Sequence, residues 1–188
     1  MKRFSLLLLC TLLGAITSAQ AADQAPSAPA APQPWIAESN RHAAVLLDII
    51  AKYGPESASF LGVEGHDDEI FDLKPQFAER QEADLVKAAA QLEAARTAAT
   101  DPLVKQDLDI LIQAANRQRI TTELNRKLML PYFDLPQAIF NGFQNLLDAR
   151  VPQERQANAV TRLKRYAGAE KGYEPITMLA RARYEESA

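Results

Sequence analysis

Residues 101–129, DPLVKQDLDILIQAANRQRITTELNRKLM, decide the fold class. Asp101 followed by Pro102 has the form of an N-cap with proline at the first helical position, where the missing N–H costs nothing. Val104, Leu108, Leu111, Ala115, Leu124 and Leu128 follow at helical spacing and predict one long amphipathic helix to about Met129 with these residues turned inward. The same period recurs on both sides. Ile36, Ala43, Leu46, Leu47, Ile50 and Tyr53 predict a first helix ended by Gly54-Pro55, and Phe77, Leu85, Ala88, Leu92 and Ala95 a second that starts after Lys74-Pro75. Ala88-Ala89-Ala90 would let a neighbouring helix approach closely.

Beyond Leu130-Pro131 the pattern shortens. A helix from Pro136 to Leu147 carries Ile139, Phe140, Phe143, Leu146 and Leu147, and it is the most apolar element of the chain. Gly142 inside it costs about 1 kcal/mol relative to alanine, which close packing would justify. Val151-Pro152 opens a fifth helix with Val160, Leu163 and Tyr166 facing in. Gly168 and Gly172 bracket a turn, and a sixth helix with Ile176, Leu179 and Tyr184 starts near Pro175. Alternating stretches and Asn-Gly or Asp-Gly hairpin turns are nearly absent. The expectation is an all-α fold of about six amphipathic helices in an irregular bundle.

What precedes the helices is an address. Met1-Lys2-Arg3, an apolar run from Phe4 to Ile16 and the close on Ala19-Gln20-Ala21 have the order of a cleavable signal peptide, with Ala19 and Ala21 as the small residues before the cut. The apolar run is too short for a bilayer, which needs about 20 residues. Residues 1–21 are therefore expected to direct export to the periplasm or medium without a stable membrane anchor. Residues 22–34 hold four prolines among Ala, Ser and Gln and read as a disordered spacer, leaving 35–188 as the helical domain.

Composition narrows the function. Against 24 acidic residues stand 21 basic ones, two of which, Lys2 and Arg3, leave with the signal, so nucleic acid and anionic lipid are not expected as partners. Basic residues gather between Arg150 and Arg165, interrupted by Glu154, and read as a solvated helix face. The single cysteine, Cys10, lies inside the signal, which rules out disulfides and thiolate metal sites in the mature chain.

Residues with chemistry are few. The two histidines, His42 and His66, do not form a His-Glu-x-x-His helix, so neither a zinc site nor another cofactor is expected within this chain. His42, one turn after Glu38, reads as a surface or boundary residue. The densest polar cluster is Gly65-His66-Asp67-Asp68-Glu69, followed by Asp72. It admits two readings: a structured surface loop before a helix, or a loop whose His66, Asp67, Asp68 and Asp72 face substrate or metal, although the spacing is not that of a calcium loop. Ser57 and Ser59 lack a nucleophile elbow. Asp107 and Asp109 point to different sides of their helix, so no catalytic residue is assigned. Trp35, Tyr53, Phe60 and Phe71 are core residues or an aromatic ligand subsite.

The stretches Tyr53-Gly54-Pro55-Glu56-Ser57-Ala58-Ser59-Phe60-Leu61-Gly62, Gly65-His66-Asp67-Asp68-Glu69-Ile70-Phe71-Asp72-Leu73 and Asp107-Leu108-Asp109-Ile110-Leu111 resemble the N-terminal part of the bacterial domain-of-unknown-function family 885. The resemblance implies exported or lipid-anchored helical proteins of several hundred residues, related to zinc metallopeptidases, whose metal-binding motif lies far toward the C-terminus. It implies zinc and a peptide substrate for the full-length family only. On that basis the chain is expected to be the N-terminal portion of a larger domain, forming part of a substrate-channel wall. Its partner would be the missing C-terminal part, and one helical face, around Phe140, Phe143 and Leu147, would be left unusually apolar. The alternative is a stand-alone periplasmic helical protein that binds a ligand or partner.

Overall fold

A computed structural model describes residues 33–130 and 132–186. The predicted signal peptide with Cys10, Ala19 and Ala21, and all of the predicted spacer except Gln33 and Pro34, lie outside the described residues. Eight α-helices and no strands occur among them: α1 Pro34–Tyr53, α2 Pro55–Phe60, α3 Phe77–Ala98, α4 Pro102–Leu128, α5 Leu135–Leu146, α6 Gln153–Gln156, α7 Ala159–Tyr166 and α8 Ile176–Glu186. The all-α expectation holds. Among the described residues no helix is long and apolar enough to cross a membrane.

Local chemistry sets the boundaries. The Asp101 side chain accepts from the Leu103 N–H at 2.8 Å and Pro102 is the first residue of α4, as the sequence predicts. Asp134 caps α5 in the same way through the Gln137 N–H. Two features depart from the sequence reading. Pro55 opens α2 immediately after ending α1, so Gly54 belongs to both helix ends. The predicted fifth helix is broken into α6 and α7, because the chain turns at Ala157 and Asn158. Pro34, placed in the spacer by sequence, is the first residue of α1. Gln76, with φ 53°, holds helical geometry off until Phe77.

Helices α3 and α4 pair most extensively, and α1 lies across both. The small side chains of Ala88 and Ala89 are buried in that region, consistent with close helix approach. Leu92, Ala99, Val104 and Leu108 form one core cluster, lined by Trp35, Val45 and Leu46 from α1. Leu73, Tyr166 and Ile176 form a second, closed by Phe71, Phe133, Ile139 and Phe143. This second cluster joins the middle of the chain to its last helices.

Several side chains expected inside face outward. Leu124 lies nine positions after Ala115, two and a half turns at 3.6 residues per turn, and therefore opposite the buried stripe of Val104, Leu108, Ala115 and Thr122. Leu124 and Leu128 are exposed for that reason. On α7 the inner face carries Arg162 and Tyr166, so Val160 and Leu163 turn to the surface. Tyr184 on α8 is also half exposed. Gly142 is buried as its packing required: a Cβ there would stand 3.1 Å from the Glu56 side chain and the Tyr166 hydroxyl.

Candidate functional site

The acidic segment 65–72 is held from three directions. Helix α2 contributes Glu56 and Ser59, and α6 and α7 contribute Arg155, Arg162, Arg165 and Tyr166. The α5 backbone contributes the Gly142 carbonyl. The basic run 150–165, read from sequence as a solvated face, is in large part turned inward. Arg150 stays in solvent with Asp148, but Arg155, Arg162 and Arg165 all reach into the fold.

Asp67 is buried and engaged on both oxygens. Arg155 donates Nε to Oδ2 and Nη2 to Oδ1, each at 2.8 Å, and the Ser59 hydroxyl donates to Oδ1. Arg155 Nη2 also reaches the Ser59 carbonyl at 3.1 Å. This fork-to-fork geometry is the strong form of an arginine–carboxylate pair. It holds the Asp67 carboxyl below the ordinary range, with the Ser59 hydroxyl helping and burial opposing.

Behind it Arg162 is 0% exposed. Its Nη1 donates to the Gly142 carbonyl at 3.0 Å and its Nη2 to the His66 carbonyl at 2.9 Å. One guanidinium thus staples the loop to α5 through two backbone acceptors. Glu56, also buried, accepts at Oε1 from the Tyr166 hydroxyl and from the Phe71 N–H at 3.1 Å. Its Oε2 and the Nε of Arg162 are buried without a hydrogen-bond partner. Burial pushes the Glu56 carboxyl up, against the Tyr166 hydrogen bond and the charge of Arg162. Burial, and then the charge of Glu56, push the Tyr166 hydroxyl up as well.

The other acidic residues of the segment are also paired. Asp68 meets Arg165 at 2.9 Å, and His66 Nδ1 lies 2.8 Å from Glu69. Asp72 receives two Arg80 donors, at 2.6 and 3.1 Å, and the Lys74 N–H. Burial opposes ionisation of Asp72, but Arg80 and Lys74 hold its carboxyl below the ordinary range. The structure therefore brings His66, Asp67, Asp68 and Asp72 into one segment, while sending each side chain to a different partner. Asp72 lines a recess of about 350 Å³ that it shares with Lys52, Pro55 and Tyr173. Among the described residues no three His, Cys, Asp or Glu side chains gather closely enough to hold a metal ion. His42 is half-buried on α1. Asp109 pairs with Arg96 across α3 and α4.

The four aromatic residues singled out by sequence part company. Trp35 packs on the first core cluster and Phe60 is exposed. Tyr53 and Phe71 meet in a chamber between α1, α3 and α4, beside Phe77 and Phe133. Sequence reading turned Tyr166 inward without giving it a part in the site, and missed Glu56, Arg155 and Arg162. The one signal is the four-residue spacing of Arg162 and Tyr166, which places a cation on the same face of α7 as a buried ring.

Fold and site together define an all-helical module whose central loop is locked by arginines from its C-terminal helices. A family model described as a bacterial protein of unknown function (DUF885) matches residues 55–188, and the chain belongs to that family. The matched range begins at Pro55 and includes Glu56, the whole locked loop and all three inward arginines. No curated protein and no solved structure matches the chain.

Proposed function

We propose that this chain is an exported helical segment of a metallopeptidase-like protein, forming part of a substrate-channel wall and supplying shape rather than reacting groups. The observation that carries the reading is an apolar surface left outside the fold. Phe140 on α5 and Leu147, the cap at its C-terminal end, are 59% and 52% exposed. Ile120, Leu124 and Leu128 form a second outward stripe on α4 at four-residue spacing, with Leu128 75% exposed. Large contiguous apolar surface on a polar-rimmed protein marks a contact with another protein surface or a ligand. Phe143, expected on the same open face, is instead half-buried edge-to-face against Tyr166, so the face is carried by Phe140 and Leu147. Export is supported by the leader pattern of residues 1–21, and the peptide substrate and zinc belong to the reading of the whole family.

The test is solution behaviour. The purified chain is expected to bind a hydrophobic dye and to self-associate. Phe140→Ser with Leu147→Gln should lower dye binding without lowering the denaturation midpoint. A zinc-dependent peptidase assay on the chain alone is expected to be blank. A monomer that unfolds cooperatively and ignores the dye favours a stand-alone binding protein, and peptide hydrolysis by this chain overturns the reading outright.

A further inference from the structure

The chamber between α1, α3 and α4 has a volume of about 500 Å³. That lies within the range of small-ligand sites, about 300–1,000 Å³. Tyr53 stands edge-on to Phe77 with ring centres 5.4 Å apart, and Phe71 edge-on to Phe133 at 5.0 Å. Leu85 and Ala115 close the floor and are buried. Among the described residues that line it, none carries a charge. The contrast within the molecule is sharp: the hollow beside α8 is lined by Lys74, Glu174, Arg183 and Glu186, and the one under α4 by Glu79 and Arg126. A charged ligand would lose its hydration here with no opposite charge in the lining to offset the loss.

The polar groups that are present are neutral hydrogen-bonding side chains. Ser57 and Gln118 are exposed where they line the chamber, and Gln81, half-buried, accepts from the Thr122 hydroxyl at 3.0 Å. Hydroxyl and carboxamide groups can exchange their water for the N–H and C=O of a peptide bond, whereas an alkyl chain offers them nothing in exchange. We infer that this chamber is a subsite for an uncharged, apolar peptide segment of two or three residues, its side chains among the four aromatic rings and its backbone amides against Ser57, Gln81 and Gln118. The inference deepens the channel-wall reading and takes its substrate class from it.

The experiment is a titration of the purified chain with N-acetyl-Phe-Leu-amide, followed by the NMR resonances of Ala114, Ala115 and Phe77. Dodecanol is titrated in parallel as the alkyl probe. Saturable shifts confined to these residues are expected with the dipeptide. Ala114→Leu, which fills the half-buried side of the chamber, should weaken binding at least tenfold. Gln118→Leu, at an exposed position, should narrow the preference for dipeptide over dodecanol and decides the matter should Ala114→Leu fail to fold. Saturation by dodecanol but not by the dipeptide, or by neither, overturns the inference. The channel-wall reading is tested by the Phe140 and Leu147 variants, neither of which lines the chamber, so the two can fail separately.

Discussion

Asp67 and Arg155 stand 88 positions apart in the chain and meet through two hydrogen bonds of 2.8 Å. Asp67 is nearly inaccessible, so removing its partner leaves a buried carboxylate with only the Ser59 hydroxyl. Breaking such a pair from one side costs about 3–5 kcal/mol. Arg155→Ala is expected at the lower end because that side chain reaches solvent, and Asp67→Ala should cost a similar amount. The double variant should lose clearly less than the sum, as measured by urea denaturation, because the two side chains share one interaction. Additive losses would mean that the pair is incidental.

Arg162→Lys should be nearly as damaging as Arg162→Ala. A single ammonium cannot span the Gly142 and His66 carbonyls that two guanidinium nitrogens now satisfy, and it would sit in a site with no exposure. A loss of about 3 kcal/mol or more is expected for each, as for a broken buried network. A fully stable lysine variant would contradict the stapling role.

Glu56 and Asp67 should bend the pH–stability curve in opposite senses. The Asp67 carboxyl lies below its ordinary value of 3.8, so its contribution is present above that value and lost as pH falls through the folded one. The Glu56 carboxyl lies above its ordinary 4.5, so the folded state holds a proton that the unfolded state gives up, and stability falls as pH rises beyond that value. Urea midpoints measured between pH 3 and 8 should therefore show Asp67→Asn losing its cost on acidification, and Glu56→Gln flattening the decline on the alkaline side. The same slopes in wild type and variants would rule this out.

Gly168→Ala and Gly172→Ala should differ. Both positions have positive φ, 68° and 92°, which costs an alanine about 1–2 kcal/mol. At Gly172 nothing lies within 4 Å of the added carbon, but at Gly168 it would meet Pro175 at 2.5 Å. The Gly168 variant is expected to lose more, with the turn into α8 displaced, and thermal melting of the two side by side measures the difference. Equal losses would show that the backbone angle alone matters.

The helices were legible because their signals are local. Asp101-Pro102 caps, the alanines of α3 and the apolar apron of α5 need no tertiary knowledge. Where two apolar stripes share one helix, as Ala115 and Leu124 do on α4, residue type alone cannot say which faces the core, and the phase must be followed turn by turn. The polar lock was illegible for a different reason. A cation on an amphipathic helix normally belongs to water, and Arg162 is held inside by the Gly142 and His66 carbonyls, 20 and 96 positions away. The acidic loop was visible as a cluster, but its partners lay in a segment whose charges looked solvated.

The long spacing of those partners has a consequence for assembly. The α1–α3–α4 cluster can form once the chain to Leu128 is available, since all of its members lie before that residue. The loop from Gly65 to Asp72 cannot be fully fastened until Arg155, Arg162 and Arg165 have been made. A chain delivered N-terminus first therefore passes through an interval in which Glu56 and Asp67 still hold their water, and the arrival of α6 and α7 expels it. The last third of the chain acts as the clock for its middle.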